Sequence, residues 1–138
     1  MTHDVVERHE MRIDTEDDIT LVRRKVRDVA RACNFDIFLA AAVTTAASEL
    51  ARNVYVHGGG GKAIVERLND DVRRGVRVEF KDEGPGIADV DRVLAGGYST
   101  ANSMGLGLSG SRRLVDEFTI DSAPGKGTRV VFVKWTPY

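Results

Sequence analysis

Apolar residues recur at Ile19, Val22, Val26, Val29, Ala30 and Cys33, a three-to-four spacing that gathers them on one helical face. Asp14 or Thr15 caps this helix and Asn34 stops it. A partly alternating stretch over Val5–Ile13 predicts a strand before it. A second helix runs from near Asp36 to about His57, and its middle, LAAAVTTAASELARN, is built from alanine and small residues. Gly58–Gly61 ends it. Strand patterns follow at Lys62–Leu68 and Val76–Lys81, joined by the polar turn Asn69–Gly75. Asp89–Leu94 predicts a short helix, and Gly107–Glu117 a longer one. Phe118–Ser122 and Thr128–Trp135 read as a closing hairpin turned by Ala123–Gly127. The order β-α-α-β-β-α-β-β predicts an α/β fold, a two-layer sandwich with a mixed sheet.

Length and charge narrow the classes. At 138 residues, with no repeats or low-complexity linkers, residues 1–138 are expected to form one domain. With 20 basic against 21 acidic residues and no basic stripe, nucleic acid is not an expected partner. No segment approaches the ~20 apolar residues of a membrane span, and the opening MTHDVVERHEMRID is too charged for a signal peptide. No membrane association and a cytoplasmic location are expected. Cys33, the single cysteine, sits in an apolar helical pattern that predicts a buried thiol.

Three glycine-rich segments suggest contact with phosphate. GGGGKA at Gly58–Ala63 is not a P-loop: Val56 stands where the first glycine belongs, Ala63 follows the lysine, and a helix precedes it. A helix-to-strand turn is expected there. GLGLSG at Gly105–Gly110 matches G-x-G-x-x-G, but polar residues precede it where a dinucleotide fold needs a strand. Glycines opening a helix still let a phosphate reach unpaired N–H groups. DEGPGI at Asp82–Ile87 follows a strand, so Asp82 can present an acceptor carboxylate to an amino group, with Gly84 and Gly86 turning the chain closely around it. The spaced oxygen ligands of a calcium loop are missing. On the second helix, Glu49 and Asn53 are four apart and share a face. The amide oxygen suits Mg²⁺ and the carboxylate suits a general base.

In this order the segments resemble the GHKL (Bergerat) ATP-binding superfamily. Glu49 and Asn53 resemble its N box, Asp82, Gly84 and Gly86 its first glycine box, and Gly105 and Gly107 its second. Thr128 in GKGT resembles the threonine that helps bind adenine. SELARNVYVHGGGGK, DEGPGI, GGYSTANSMGLGLSGSRRLVDEF and GTRVVFVKW are similar, over nearly the whole chain, to the RsbT-like branch of switch serine/threonine kinases. The resemblance implies ATP and Mg²⁺ as cofactors. By this resemblance Asn53 holds the metal, Glu49 acts on the acceptor hydroxyl, Asp82 reads adenine with Gly84, Gly86, Ile87 and Thr128 around it, Gly105, Leu106 and Gly107 hold the phosphates, and Leu108 also lines the nucleotide. Residues Gly96–Met104 form a lid in which Ser99 and Thr100 contact phosphate. The implied partners are STAS-domain proteins of the RsbS and RsbR kind, which form the stressosome, and a downstream effector such as an RsbU-like phosphatase. Two alternatives stay open: an anti-sigma factor kinase of the RsbW or SpoIIAB type, and a non-catalytic ATP-binding module that activates its partner. His57 is expected to be a helix-end residue and Arg112 and Arg113 part of a solvated face.

Overall fold

In the computed structural model, which describes residues 3–95 and 104–137 (backbone only for 104–106), the chain runs β1 (Asp4–Ile13), α1 (Glu16–Ala32), α2 (Ile37–Val56), β2 (Gly61–Asn69), β3 (Arg74–Asp82), α3 (Val90–Leu94), α4 (Met104–Leu114), β4 (Glu117–Ser122) and β5 (Thr128–Trp135). The five strands form one sheet in the order β1-β2-β3-β5-β4. Every neighbouring pair is antiparallel. The two-layer sandwich is as expected, but the mixed sheet is not. A single crossover helix would return the chain for a parallel strand. Here β1 is followed by two helices, so the chain re-enters at the opposite end and β2 runs antiparallel to β1. β3 and β4 do run in the same direction, but β5 lies between them.

Local chemistry fixes the helix ends. Thr15, rather than Asp14, caps α1: its hydroxyl accepts from the Asp18 N–H at 3.3 Å. The Asp18 carboxylate reaches back to the N–H groups of Asp14 and Thr15, both at 2.9 Å. This reciprocal box satisfies donors that the first turn leaves orphaned. Those backbone bonds hold the Asp18 carboxyl below its ordinary range. After α1, Asn34 takes a left-handed φ of 60°, the stop expected of it. Asp36 caps α2, accepting from the Leu39 N–H at 2.8 Å. α4 begins three residues earlier than its expected start at Gly107 and ends at Leu114 instead of Glu117. The sheet claims the residues that follow: the Asp116 N–H donates to the Val133 carbonyl, and its carboxylate accepts from the Trp135 N–H at 2.7 Å.

The core lies between the sheet and the helices. Val22, Val26 and Val29 of α1 and Val43, Ala47, Leu50 and Ala51 of α2 are buried against Ala63, Val65, Val78, Phe80, Val130 and Phe132. Alanines on α2 let that helix lie close to the sheet. Cys33 is buried as expected. Its thiol, pushed up to about 11 by burial, faces the Gly75 carbonyl at 3.5 Å. The open face of the sheet is covered by its own charged side chains, in a ladder from Arg8 through Glu66, Arg77 and Glu79 to Arg129. Among the described residues no helix is long and apolar enough to cross a membrane.

Removing the capping hydroxyl with Thr15→Ala is expected to lower unfolding stability by about 1 kcal/mol. Denaturant titration with an unchanged m-value would register it, and a loss below about 0.3 kcal/mol would show that Asp18 alone secures the turn.

Candidate functional site

One row of the sheet forms the floor of the site. Antiparallel register aligns Ile13, Gly61, Asp82, Thr128 and Ser122 across β1, β2, β3, β5 and β4. Above it, a cavity of about 320 Å³ is lined by Asp82, Gly86, Ile87 and Thr128 from the sheet end and by Leu50, Asn53, Val54 and His57 from α2. Leu108 of α4 closes another side, with Phe80 and Val130 adding apolar wall. A mainly apolar cleft with a few convergent polar groups is what a small-molecule site requires.

Asp82 is held where the backbone comes unusually close. Its Oδ1 accepts from the Gly84 N–H at 2.9 Å. Burial pushes its carboxyl above the ordinary range, against the lowering effect of the Gly84 and Thr128 N–H groups and of His57. A Cβ on Gly58 would come within 2.6 Å of Asp82 Oδ2, and one on Gly84 within 2.7 Å of the Gly58 Cα. The Gly58–Gly61 turn, expected to be no more than a connection, is therefore the outer wall of the Asp82 site. His57 caps α2 as expected.

Glu49, Asn53 and Gly107 meet on the other side of the cavity. A Cβ built on Gly107 would lie 3.4 Å from Glu49 Oε2 and 3.5–3.6 Å from the two ends of the Asn53 amide. The first turn of α4 thus packs against the Glu49–Asn53 step of α2. The first four N–H groups of α4 are those of Met104, Gly105, Leu106 and Gly107, which a helix leaves without intrahelical partners. Asn53 Nδ2 is buried with no hydrogen-bond partner among the described residues. A buried orphan of this kind is costly, and a phosphate or a metal-bound oxygen beside it would relieve that cost, so the residues fit a Mg²⁺–phosphate group. Glu49 is exposed. Ser99, Thr100 and the stretch 96–103 of the expected lid lie outside the described residues.

Ser122 was not singled out from the sequence, yet it ties the Thr128 side of the cavity together. Its hydroxyl donates to the Gly127 carbonyl at 2.8 Å and accepts from the Ile87 N–H at 2.8 Å. Thr128 Oγ1 is also 2.8 Å away. A serine hydroxyl has one proton, already given to Gly127, so Thr128 is the donor in that third bond. Thr128 therefore offers only lone pairs to the cavity. A serine before a turn carries no signal in a single sequence; only the strand register reveals its position.

Residues 39–137 match the family described as histidine kinase-, DNA gyrase B-, and HSP90-like ATPase. The chain is 42% identical over 125 residues, covering 91% of this chain and 94% of the relative, to the serine/threonine-protein kinase RsbT of Bacillus subtilis (strain 168). An anti-sigma F factor of Thermoanaerobacter sp. (strain X514) is 29% identical over 97 residues, covering 67% of this chain and 68% of the relative. The SiaB-SiaC complex of Pseudomonas aeruginosa contains a chain of similar fold, with a TM-score of 0.57 at 14% identity, covering 96% of this chain and 91% of that one.

Ser122→Ala leaves the Ile87 N–H, the Gly127 carbonyl and Thr128 without a partner, and is expected to cost about 1–3 kcal/mol of stability. Equilibrium unfolding measures it, and a neutral result would mean that water replaces the hydroxyl. For Asp82 the sign is opposite. A carboxyl whose folded pKa is raised holds its proton more tightly in the folded chain. Stability therefore falls as pH rises from the ordinary carboxylate pKa through the raised one, and stays lower above it. Asp82→Asn should match wild type in acid and melt at a higher temperature at neutral pH. A lower neutral melting point would show that the hydrogen bonds of the carboxylate outweigh its desolvation. The chain belongs to the histidine kinase-, DNA gyrase B- and HSP90-like ATPase family, as an RsbT-like serine/threonine-protein kinase.

Proposed function

We propose that this kinase transfers the γ-phosphoryl group of ATP to a serine or threonine of a STAS-domain protein of the RsbS or RsbR kind, and then engages a downstream effector such as an RsbU-like phosphatase. The observation that carries the chemical part is the placement of an exposed Glu49 one helical turn from Asn53, whose buried amide nitrogen has no partner among the described residues, both beside the first turn of α4. The partner assignment is supported by the 42% identity to RsbT over nearly the whole chain.

In this reading Asp82 accepts from the exocyclic amino group of adenine, and Thr128 adds a second acceptor, directly or through water. Gly84, Gly86 and Ile87 shape the turn beside the base. The free N–H groups of Gly105, Leu106 and Gly107 hold phosphate oxygens, with Leu108 as apolar wall. Asn53 Oδ1 would hold Mg²⁺, which when bound neutralises charge on the phosphates. Ser99 and Thr100 would add contacts from the segment after α3. The acceptor oxygen attacks the γ-phosphorus as the bond to the bridging β–γ oxygen breaks. ADP leaves, and the hydroxyl proton passes to Glu49. All of this takes place within one domain over residues 1–138. The anti-sigma reading draws on relatives of lower identity and shorter coverage, and capture of a sigma factor in place of transfer would favour it.

Glu49→Ala is expected to keep ATP affinity within about twofold and to slow transfer by on the order of a hundredfold or more, the range of a lost general base. Labelled γ-phosphate on a purified RsbS-like protein measures transfer, and calorimetry measures binding. Undiminished transfer would remove Glu49 from the chemistry.

A further inference from the structure

The outer face of α2 is the wrong kind of surface for a helix in water. A surface helix carries charged residues on the side away from the core. Over its 20 residues α2 has two, Glu49 and Arg52. Its exposed positions Phe38, Ala41, Thr45, Glu49 and Arg52 follow one another at spacings of three and four, a single stripe along the helix. At the start of that stripe Ile37 is 77% exposed and Phe38 81% exposed. Neither packs on the core, and helix propensity gives no reason for a phenylalanine in the first turn.

We propose that this stripe is the docking surface for the protein that carries the acceptor hydroxyl, which seats an apolar patch on Ile37 and Phe38 while its serine or threonine reaches Glu49. This rests on the kinase reading and on Glu49 as the base. The occupant follows from geometry. A general base works at hydrogen-bond distance from the proton it takes, so the acceptor protein must cover Glu49. A stable interface occupies about 800 Å² of each partner, a patch roughly 30 Å across. Phe38 lies eleven residues before Glu49, about 16 Å along the helix axis, so a patch of this size centred between the two covers both. The small side chains at Ala41 and Thr45 leave the path between them low enough for continuous contact. Aromatic anchors of this kind carry most of the energy in such interfaces.

The test uses the whole protein with Phe38→Asp and, separately, Ala41→Glu. Both positions are exposed and neither belongs to the nucleotide site. Transfer from Mg-ATP is measured to an RsbS-like STAS protein and to a short synthetic peptide bearing the same acceptor serine. The expected result is a KM for the protein acceptor raised by on the order of thirtyfold, with kcat, ATP affinity and peptide phosphorylation held. An unchanged KM for the protein acceptor in both variants overturns the proposal. So does intact transfer with lost activation of the effector, which would assign the face to that effector. Should Phe38→Asp also lose ATP binding, Ala41→Glu decides. Absence of transfer in the wild-type protein would instead overturn the kinase reading.

Discussion

Asp82 is a carboxylate driven into a place that carboxylates avoid, and the turns around it are shaped by that fact. It ends β3 beneath the Gly58–Gly61 turn, beside Gly84 and under Gly127, and Gly58, Gly61, Gly84 and Gly127 stand where a Cβ would collide with Asp82 or with a neighbour that holds it. Gly127 also has a φ of 72°, a left-handed value that favours glycine. Without these approaches Asp82 would lie in water, and its hydrogen bond to a ligand would compete with solvent. Burial strengthens that bond because it lowers the local dielectric, and it also destabilises the empty site. The N–H groups of Gly84 and Thr128 offset part of the cost.

The antiparallel topology explains why distant segments meet. Pairing β3 with β5 puts the end of one strand opposite the start of the other, so Asp82 and Thr128 become direct cross-strand neighbours although 46 positions separate them. β4 then places Ser122 beside Thr128. The long helix α2, packed across the sheet, delivers Asn53 to the same end. The sheet supplies the Asp82 side of the cavity and the helices supply the Asn53 side.

Much of this was legible in the sequence because it depends on local rules. Glycines that must turn or approach closely, a capping Thr15, and alanines facing a sheet all leave a mark within a few residues. The alternation of Val76, Val78 and Phe80 with charged residues marks β3, and the unbroken apolar run Val130–Val133 marks β5. Register and strand order leave no such mark. The insertion of β5 between β3 and β4 depends on how a hairpin swings back across the sheet, and Ser122 reaches Ile87 only through that insertion, while its bonds to Gly127 and Thr128 belong to the hairpin itself. The start of α4 was misplaced for a related reason. Gly105 looks like a loop residue by propensity, but the helix that packs Gly107 against Glu49 and Asn53 runs back through it to Met104.

The two acidic side chains at the site have opposite environments, and that contrast bears on what kind of enzyme this is. Asp82 is withdrawn under three turns, as suits a group that only binds. Glu49 stands exposed on the outer side of α2, although its neighbour one turn on, Asn53, is half-buried with its amide nitrogen covered, beside the first turn of α4. An enzyme acting on water or a small metabolite gains by enclosing its base, because exclusion of solvent strengthens every interaction inside. An enzyme acting on a side chain of another protein cannot enclose the base by itself, since the acceptor arrives attached to a surface. The missing wall must come from that partner, and a carboxylate left open at the edge of the cavity is the arrangement that the proposed transfer to a protein requires.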